Sequence, residues 1–279
     1  MKKLKEKLRI SLNGIYPEHE INSLFYMVME HLTGLTRQQL LFNSGLSLNS
    51  DQFDTFCIIV DRLNRKEPIQ YILGEGEFYG LRFKLAPGVL IPRGETEELV
   101  ELIIKDYTGQ SPKVLDIGSG SGCIPVVLKK HLPMGEVYSC DISSTALEIA
   151  QANSTLNQTE ITFFEYDILS AKSIPYSLFD VIVSNPPYVT EKEKEHMESL
   201  VLEHEPHLAL FVPDNDPLLF YRAILQKAEL LLKKGGAIYF EINEAYGCEV
   251  ESLFNSYGFF AELYADIQGK PRFAKGVYQ

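Results

Sequence analysis

Lys113-Val-Leu-Asp-Ile-Gly-Ser-Gly-Ser-Gly122, running on into Cys123-Ile-Pro-Val-Val-Leu-Lys-Lys-His131, decides the fold. The first five residues read as a short apolar strand, and a helix is expected from about Cys123 to His131. Between them stand three glycines, which let the backbone turn sharply and approach a ligand closely. A strand, a glycine turn and a helix in that order make one unit of an α/β protein. The chain then repeats the alternation. Strands are expected at 137–141, 161–166, 181–184 and 237–242, with helices through 146–153 and about 218–233. Such alternation argues for a parallel, doubly wound sheet. Two further strands, 259–265 and 273–278, flank a turn at Gln268-Gly-Lys-Pro271.

Upstream of this region the texture differs. Ile21, Leu24, Phe25, Val28 and Leu32 recur at helical spacing, as do Phe53, Phe56, Cys57, Val60 and Leu63. Turn signals stand around Gly34 and Gly45, so residues 1–72 read as a small helical bundle ending at Pro68. Residues 73–91 hold Gly74, Gly76 and Gly80 amid Phe78-Tyr-Gly-Leu-Arg-Phe83, the pattern of a β-hairpin linker. A helix from Glu95 through Leu99, Leu102 and Ile103 opens the third part, residues 92–279.

The chain has 279 residues, enough for about two domains by length. Its formal net charge is −12, and such a surface repels a phosphate backbone unless a basic patch intervenes. No strong patch is found, so direct nucleic-acid binding is not expected. The basic start, Met1-Lys-Lys-Leu-Lys-Glu-Lys-Leu-Arg9, reads as a solvated helix face with no apolar region of a signal peptide behind it. No apolar run approaches the ~18 residues a membrane span needs. Cys57, Cys123, Cys140 and Cys248 stand at neither metal-binding nor disulfide spacing, which fits a reducing cytoplasm. His196, His204 and His207 lie in a Glu-rich segment. They lack the i, i+4 pairing of a metal site, so a solvated segment is preferred and no metal is expected.

In open α/β sheets, ligands bind beyond the carboxyl ends of the strands. Gly118, Ser119, Gly120, Ser121 and Gly122 stand there, as does Asp141 at the end of the second strand. An acid about twenty residues on commonly meets ribose hydroxyls. Asp167, ending the third strand, would accept a hydrogen bond from an adenine amine. The G-x-G-x-G spacing differs from the dinucleotide G-x-G-x-x-G and leaves less provision for a pyrophosphate. Asp116, just before the glycines, suits a cationic ligand. These features favour S-adenosylmethionine over NAD, with an unliganded turn as the bland alternative.

Asn185-Pro-Pro-Tyr188 follows the apolar run Phe179-Asp-Val-Ile-Val-Ser184. Two prolines fix φ and remove two backbone donors, and the residue before a proline is pushed to extended geometry. The result is a stiff strand exit presenting an amide oxygen, bare carbonyls and an aromatic ring, a good receptor for a planar –NH2 group. An ordinary proline-stiffened loop is the alternative.

Three segments together resemble the release-factor glutamine methyltransferases, the PrmC/HemK-like family. They are Leu90-Ile-Pro-Arg-Gly-Glu-Thr-Glu97, the glycine loop with Asp141, and Asn185-Pro-Pro-Tyr188. Glu203-His-Glu-Pro-His-Leu-Ala-Leu210, Phe240-Glu-Ile242 and Asp266-Ile-Gln-Gly-Lys-Pro-Arg272 extend the likeness over residues 67–279. Two departures are Gly94, where the family commonly has proline, and Val212-Pro-Asp-Asn-Asp-Pro217, which replaces a usually glycine-containing loop. The resemblance implies a class I S-adenosylmethionine-dependent methyltransferase, Rossmann-like, with a seven-stranded, mostly parallel sheet. It implies methylation of the side-chain amide nitrogen of the Gln in the Gly-Gly-Gln motif of class 1 peptide chain release factors, in the cytoplasm. Gly118, Gly120 and Gly122 would line the cofactor, Asp141 would hold its ribose, and Asp167 with Ile168 would face the adenine. Asn185, Pro186, Pro187 and Tyr188 would grip the substrate, with the helical residues 1–72 docking the release factor; Tyr188 either packs on the amide plane or is a core aromatic with its hydroxyl satisfied elsewhere.

Competing expectations are a ribosomal-protein glutamine, an adenine amine in nucleic acid, or a non-catalytic cofactor-binding protein. Arg93, Glu95 and Glu97 either border the cleft mouth or simply complement a helix start.

Overall fold

A computed structural model describes residues 1–43, 45–197 and 199–279. The chain divides into two compact units, Met1–Glu75 and Gly76–Gln279.

The first unit is helical: α1 (Lys2–Leu12), α2 (Glu18–Thr33), α3 (Arg37–Phe42), α4 (Ser50–Asn64) and α5 (Ile69–Leu73). Local chemistry sets the ends. Gly34 takes left-handed geometry after α2 and donates its N–H to Glu30 O at 2.8 Å. Thr36 with Gln39, and Asn49 with Gln52, form reciprocal capping boxes at the starts of α3 and α4. The periodic residues meet inside: Leu8, Leu12, Phe25, Val28, Met29, Phe56 and Leu63 are almost wholly buried. Pro68 does not end the bundle, because α5 begins directly after it; proline suits that place since a first-turn N–H has no partner to lose.

A hairpin of β1 (Glu75–Phe78) and β2 (Leu81–Lys84) begins at the last residue of the first unit and opens the second. Tyr79 and Gly80, at φ 51° and 71°, make its two-residue turn, the geometry that matches strand twist. There follow α6 (Gly94–Tyr107), β3 (Lys113–Ile117), α7 (Cys123–His131), β4 (Glu136–Asp141), α8 (Ser144–Leu156), β5 (Thr162–Glu165), β6 (Phe179–Ser184) and β7 (Val189–Thr190). Next are α9 (Ser199–His204), β8 (Phe211–Val212), α10 (Leu219–Leu231), β9 (Leu232–Glu241), α11 (Gly247–Ser256), β10 (Phe259–Ala265) and β11 (Pro271–Tyr278).

Seven strands form one sheet in the order β10-β11-β9-β6-β3-β4-β5. All neighbouring pairs from β9 to β5 are parallel, while β11 is antiparallel to both its neighbours. The expected mostly parallel sheet is therefore present, with β11 its single reversed strand. The near-continuous burial of β3 and β6 reflects helices on both faces. Leu115, Ile182, Ile224, Ile238, Phe240 and Phe254 form the heart of this core. Burying each such side chain stabilises the fold by about 1.5–3 kcal/mol. β9 begins five residues earlier than the expected 237, and the extra length sits in β9 itself, where Leu232 and Ala237 pair with Phe179 and Val181, residues that only Asp180 separates. β3 and β6 are adjacent although β4 and β5 come between them in sequence. The strand order reverses at that place, opening a crevice beyond the carboxyl ends of both strands.

Candidate active site

A cleft of about 390 Å³ lies at this crevice. The chain reaches it at the ends of four consecutive parallel strands: Ile117–Ser121 after β3, Cys140–Ser143 after β4, Tyr166–Leu169 after β5, and Ser184–Pro187 after β6.

The loop after β3 is held from both sides. Gly118 and Ser119 donate their N–H groups to Cys140 O at 2.8 and 3.0 Å. Asp141 Oδ2 accepts from Gly120 N, and Asp141 Oδ1 from Ser143 N, each at 2.9 Å. One carboxylate thus braces the glycine turn and the start of α8, and each oxygen keeps lone-pair capacity toward the cleft. Gly118 and Gly120 adopt φ of 90° and 51°, and a methyl group added to either meets no atom within 4 Å. They leave open space on the cleft wall. Gly122 is different. It does not line the cleft, and a Cβ there would lie 2.9 Å from the Cα and Cβ of Ala150 in α8. Gly122 thus permits the close packing of its loop on α8.

Asp116 lies fully buried at the end of β3. Its Oδ2 accepts from Ser139 Oγ at 2.6 Å, while Oδ1 has no hydrogen-bond partner among the described residues. Burial pushes this carboxyl up to about 7, against the pull of Ser139, with Asp141 adding a smaller push. Asp116 is not among the cleft-lining residues, so any influence on a cationic ligand is exerted from beneath the loop.

Asp167 and Ile168 line the cleft, and Asp167 Oδ1 accepts from Leu169 N at 2.8 Å. Ile142 and Leu169, both about half exposed, stand on the same wall. Exposed apolar side chains beside acids are what a flat heterocycle with polar edges requires. Ile142 escaped the sequence reading, although its place directly after the strand-terminal Asp141 was a usable signal.

Asn185, Pro186 and Pro187 form the opposite wall. Asn185 Nδ2 donates to Thr96 Oγ1 at 3.2 Å. Thr96, in the first turn of α6, donates in turn to Glu241 Oε2 at 2.6 Å, and Tyr188 donates its hydroxyl to Glu241 Oε1 at 3.0 Å. Glu241 ends β9 and is buried; desolvation raises its carboxyl above the ordinary value, and the two hydroxyls pull it back. Burial, and then the neighbouring Glu241, drive the Tyr188 phenol far upward, so it stays a neutral donor. Tyr188 is not among the cleft-lining residues, its ring packs against the large core, and its hydroxyl is spent on Glu241, the geometry of the core-aromatic alternative. Thr96 carries no sequence signal of its own between the charged Glu95 and Glu97.

Those charges have distinct places. Arg93 lines the cleft and pairs with the buried Glu205 at 2.6 Å, and Glu205 Oε2 also accepts from Ile91 N at 3.2 Å. Glu97 accepts from Tyr79 N at 2.7 Å and pins the hairpin turn to α6. Glu95 lies in the first turn of α6, where a carboxylate complements the helix dipole. Of the three histidines, His207 Nε2 lies 2.9 Å from Leu202 O, and the His196 side chain lies outside the described residues. No cluster of three metal-ligating side chains occurs among the described residues.

Comparison with known proteins places this geometry. A family model described as the methyltransferase small domain matches residues 91–209, and one described as the PrmC N-terminal domain matches residues 12–74. A release factor glutamine methyltransferase of Flavobacterium psychrophilum is 46% identical over 270 residues, covering 95% of this chain and 94% of its own. Another, of Bacteroides thetaiotaomicron, is 44% identical over 274 residues, covering 98% of each. A crystallised methyltransferase from Pyrococcus furiosus shares the fold, with a TM-score of 0.55 at 16% identity over 82% of this chain and 98% of that one. The strand order, the cleft at its reversal and near full-length identity of this level together establish that the chain is a methyltransferase of the release factor glutamine methyltransferase family.

Proposed function

We propose that this enzyme transfers a methyl group from S-adenosylmethionine to the side-chain amide nitrogen of the Gln in the Gly-Gly-Gln motif of class 1 peptide chain release factors. One observation carries the reading. A cradle for a nucleoside-bearing ligand and a stiff carboxamide receptor, Asn185-Pro186, share the walls of a single cleft. The names of the full-length relatives supply the substrate class.

The residues present fit the cofactor. Gly118 and Gly120 leave a cradle that a Cβ would fill, Asp141 offers acceptors suited to ribose hydroxyls, and Asp167 with Ile168 offers a polar edge and an apolar face. When bound, S-adenosylmethionine supplies an electrophilic methyl group on a sulfonium.

The protein's task is then one of orientation. An amide nitrogen is a poor nucleophile because its lone pair is delocalised. The Asn185 oxygen and the Pro186 carbonyl each accept one N–H of the substrate carboxamide. This aims the nitrogen and stabilises positive charge growing on it. Alignment of that kind contributes up to ~7–11 kcal/mol to a transfer reaction. No general base is assigned, since a cationic N-methylated amide loses its proton readily to water. Asn185, Pro186 and Pro187 contact the substrate, and Tyr188 supports them from behind.

The helical unit Met1–Glu75 serves as the docking element for the release factor in this reading, supported by the family match over 12–74. Exposed apolar residues on it, including Ile10, Phe42 and Ile58, offer contact area. The site of action is the cytoplasm, where release factors work. No helix among the described residues is long and apolar enough to cross a membrane.

The test is methylation of purified class 1 release factors with isotope-labelled S-adenosylmethionine, mapped by mass spectrometry. One methyl on the Gly-Gly-Gln glutamine is expected. Label confined to a ribosomal protein or to nucleic acid would overturn the reading.

A further inference from the structure

We propose that Thr96 and Glu241 are positioning residues that fix the Asn185 carboxamide with its oxygen toward the substrate. The proposal rests on the reading of Asn185 given above and adds a cause for its orientation.

An Asn side chain is nearly symmetric in shape, but its two ends are opposite in hydrogen-bonding sense. A receptor for two N–H groups works only with the oxygen outward, and the prolines that stiffen the backbone do not select the amide's rotation. The selection is made one step away. A threonine hydroxyl carries a single proton. Thr96 gives that proton to Glu241 Oε2 at 2.6 Å, within the range of a charge-assisted bond. Toward Asn185, 3.2 Å distant, Thr96 Oγ1 is therefore left with lone pairs only. The NH2 of Asn185 must face it, and the carbonyl oxygen must face away. Rotating the amide by half a turn would set two oxygens against each other in a place where Thr96 is buried, at the cost of an unmade hydrogen bond.

Glu241 is itself held. Its backbone oxygen accepts from the buried Tyr221 hydroxyl at 3.1 Å, and its strand pairs Phe240 with Ser184 directly before Asn185. Its second carboxylate oxygen takes the Tyr188 hydroxyl. One buried carboxylate therefore steadies both ends of Asn185-Pro-Pro-Tyr188, the first through Thr96 and the last directly. The sequence separates the three parts by 89 and 145 residues from Thr96, so only the fold unites them.

The experiment compares Thr96→Val, Thr96→Ala and Thr96→Ser with wild type and Asn185→Ala, using full-length enzyme and a class 1 release factor. Turnover is measured at saturating substrates, together with KM for the release factor and calorimetric affinity for S-adenosylmethionine. Thr96→Val should lower kcat about 10- to 100-fold, as expected for a misaligned reacting group. KM and cofactor affinity should stay within about threefold, since the contacts that hold both ligands remain. Thr96→Ser keeps the hydroxyl and should retain most of the rate. Thr96→Ala, a change well suited to a helix's first turn, replaces Thr96→Val if that variant proves too unstable to assay. A kcat within twofold of wild type in the Val or Ala variant, or a Ser variant as slow as them, would overturn the proposal. Full activity of Asn185→Ala would remove the underlying reading instead, so the two failures are distinguishable.

Discussion

Gly122→Ala is expected to damage stability, whereas Gly120→Ala is expected to damage cofactor binding. The two glycines are two residues apart in one loop, and both take positive φ. An alanine held in left-handed geometry costs roughly 1–2 kcal/mol at either place. At Gly120 the new methyl meets nothing within 4 Å, so little is added, and part of the strain is offset by about 0.4–1 kcal/mol from a less flexible unfolded chain. At Gly122 the methyl would stand 2.9 Å from both Cα and Cβ of Ala150, a fully buried residue of α8. Neither helix can yield without disturbing the sheet beneath, and overpacking of this kind costs about 1–3 kcal/mol more. With the same unfolded-state offset at both positions, the expected loss is about 1–4.5 kcal/mol for Gly122→Ala and about 1 kcal/mol for Gly120→Ala. Against a total of roughly 5–15 kcal/mol, the first is a large fraction. Urea denaturation of the free protein measures the stabilities, and calorimetry with S-adenosylmethionine measures affinity. The Gly120 variant should bind at least tenfold more weakly, about 1.4 kcal/mol, because its methyl occupies cradle space. A Gly122→Ala protein within about 0.5 kcal/mol of wild type would refute the packing argument, since surface-like tolerance has that magnitude. Equal losses of stability in the two variants would refute it as well.

Asn185→Ala should retain cofactor affinity within about threefold while losing transfer about 10²- to 10³-fold, the scale of removing one transition-state hydrogen-bonding group; single-turnover methylation checks it. Asp141→Asn should weaken S-adenosylmethionine binding by about 1–3 kcal/mol, read by calorimetry, because an amide NH2 replaces one of two oxygens that accept from Gly120 N and Ser143 N. Asp116 gives a pH signature. Burial holds its proton in the folded state up to about 7, whereas the unfolded chain releases it near the ordinary carboxylate value. The folded state therefore binds more protons across that window. This group's contribution to stability is fully present below about pH 4 and is lost as pH rises toward 7. Asp116→Asn removes the effect, so its stability relative to wild type should rise from pH 4 to pH 7 by up to about 4 kcal/mol, measured by urea titration.

Much of the second unit was legible because its signals are local. The strand Lys113–Ile117 and the helix Cys123–His131 fall where the apolar run and the glycines put them. The stiffness of Asn185-Pro-Pro-Tyr188 likewise follows from two prolines after a strand, whatever surrounds them. Asp141 could be chosen because strand ends in α/β proteins point toward the ligand crevice. Hydrophobic periodicity also revealed α2 and α4 of the first unit, though not α3 or α5, whose six and five residues are too few to show a period.

Other features were settled only by packing at long range. Gly122 looks identical to Gly118 and Gly120 in sequence, and only the approach of Ala150 separates a packing glycine from two that line the cleft. Strand order is another such feature, since β11 could have paired on either side of β10, and its place beside β9 is a matter of tertiary contacts. The Asn185 amide is the last. Residue type alone provides a group with two opposite ends, and Thr96 and Glu241, brought from distant segments, choose between them. Local sequence determines which backbone shapes and chemical groups are available, because sterics and periodicity act over a few residues. The choice of neighbour for each group, and hence its orientation, belongs to the closed fold, where distant segments exclude water and every buried proton must find an acceptor.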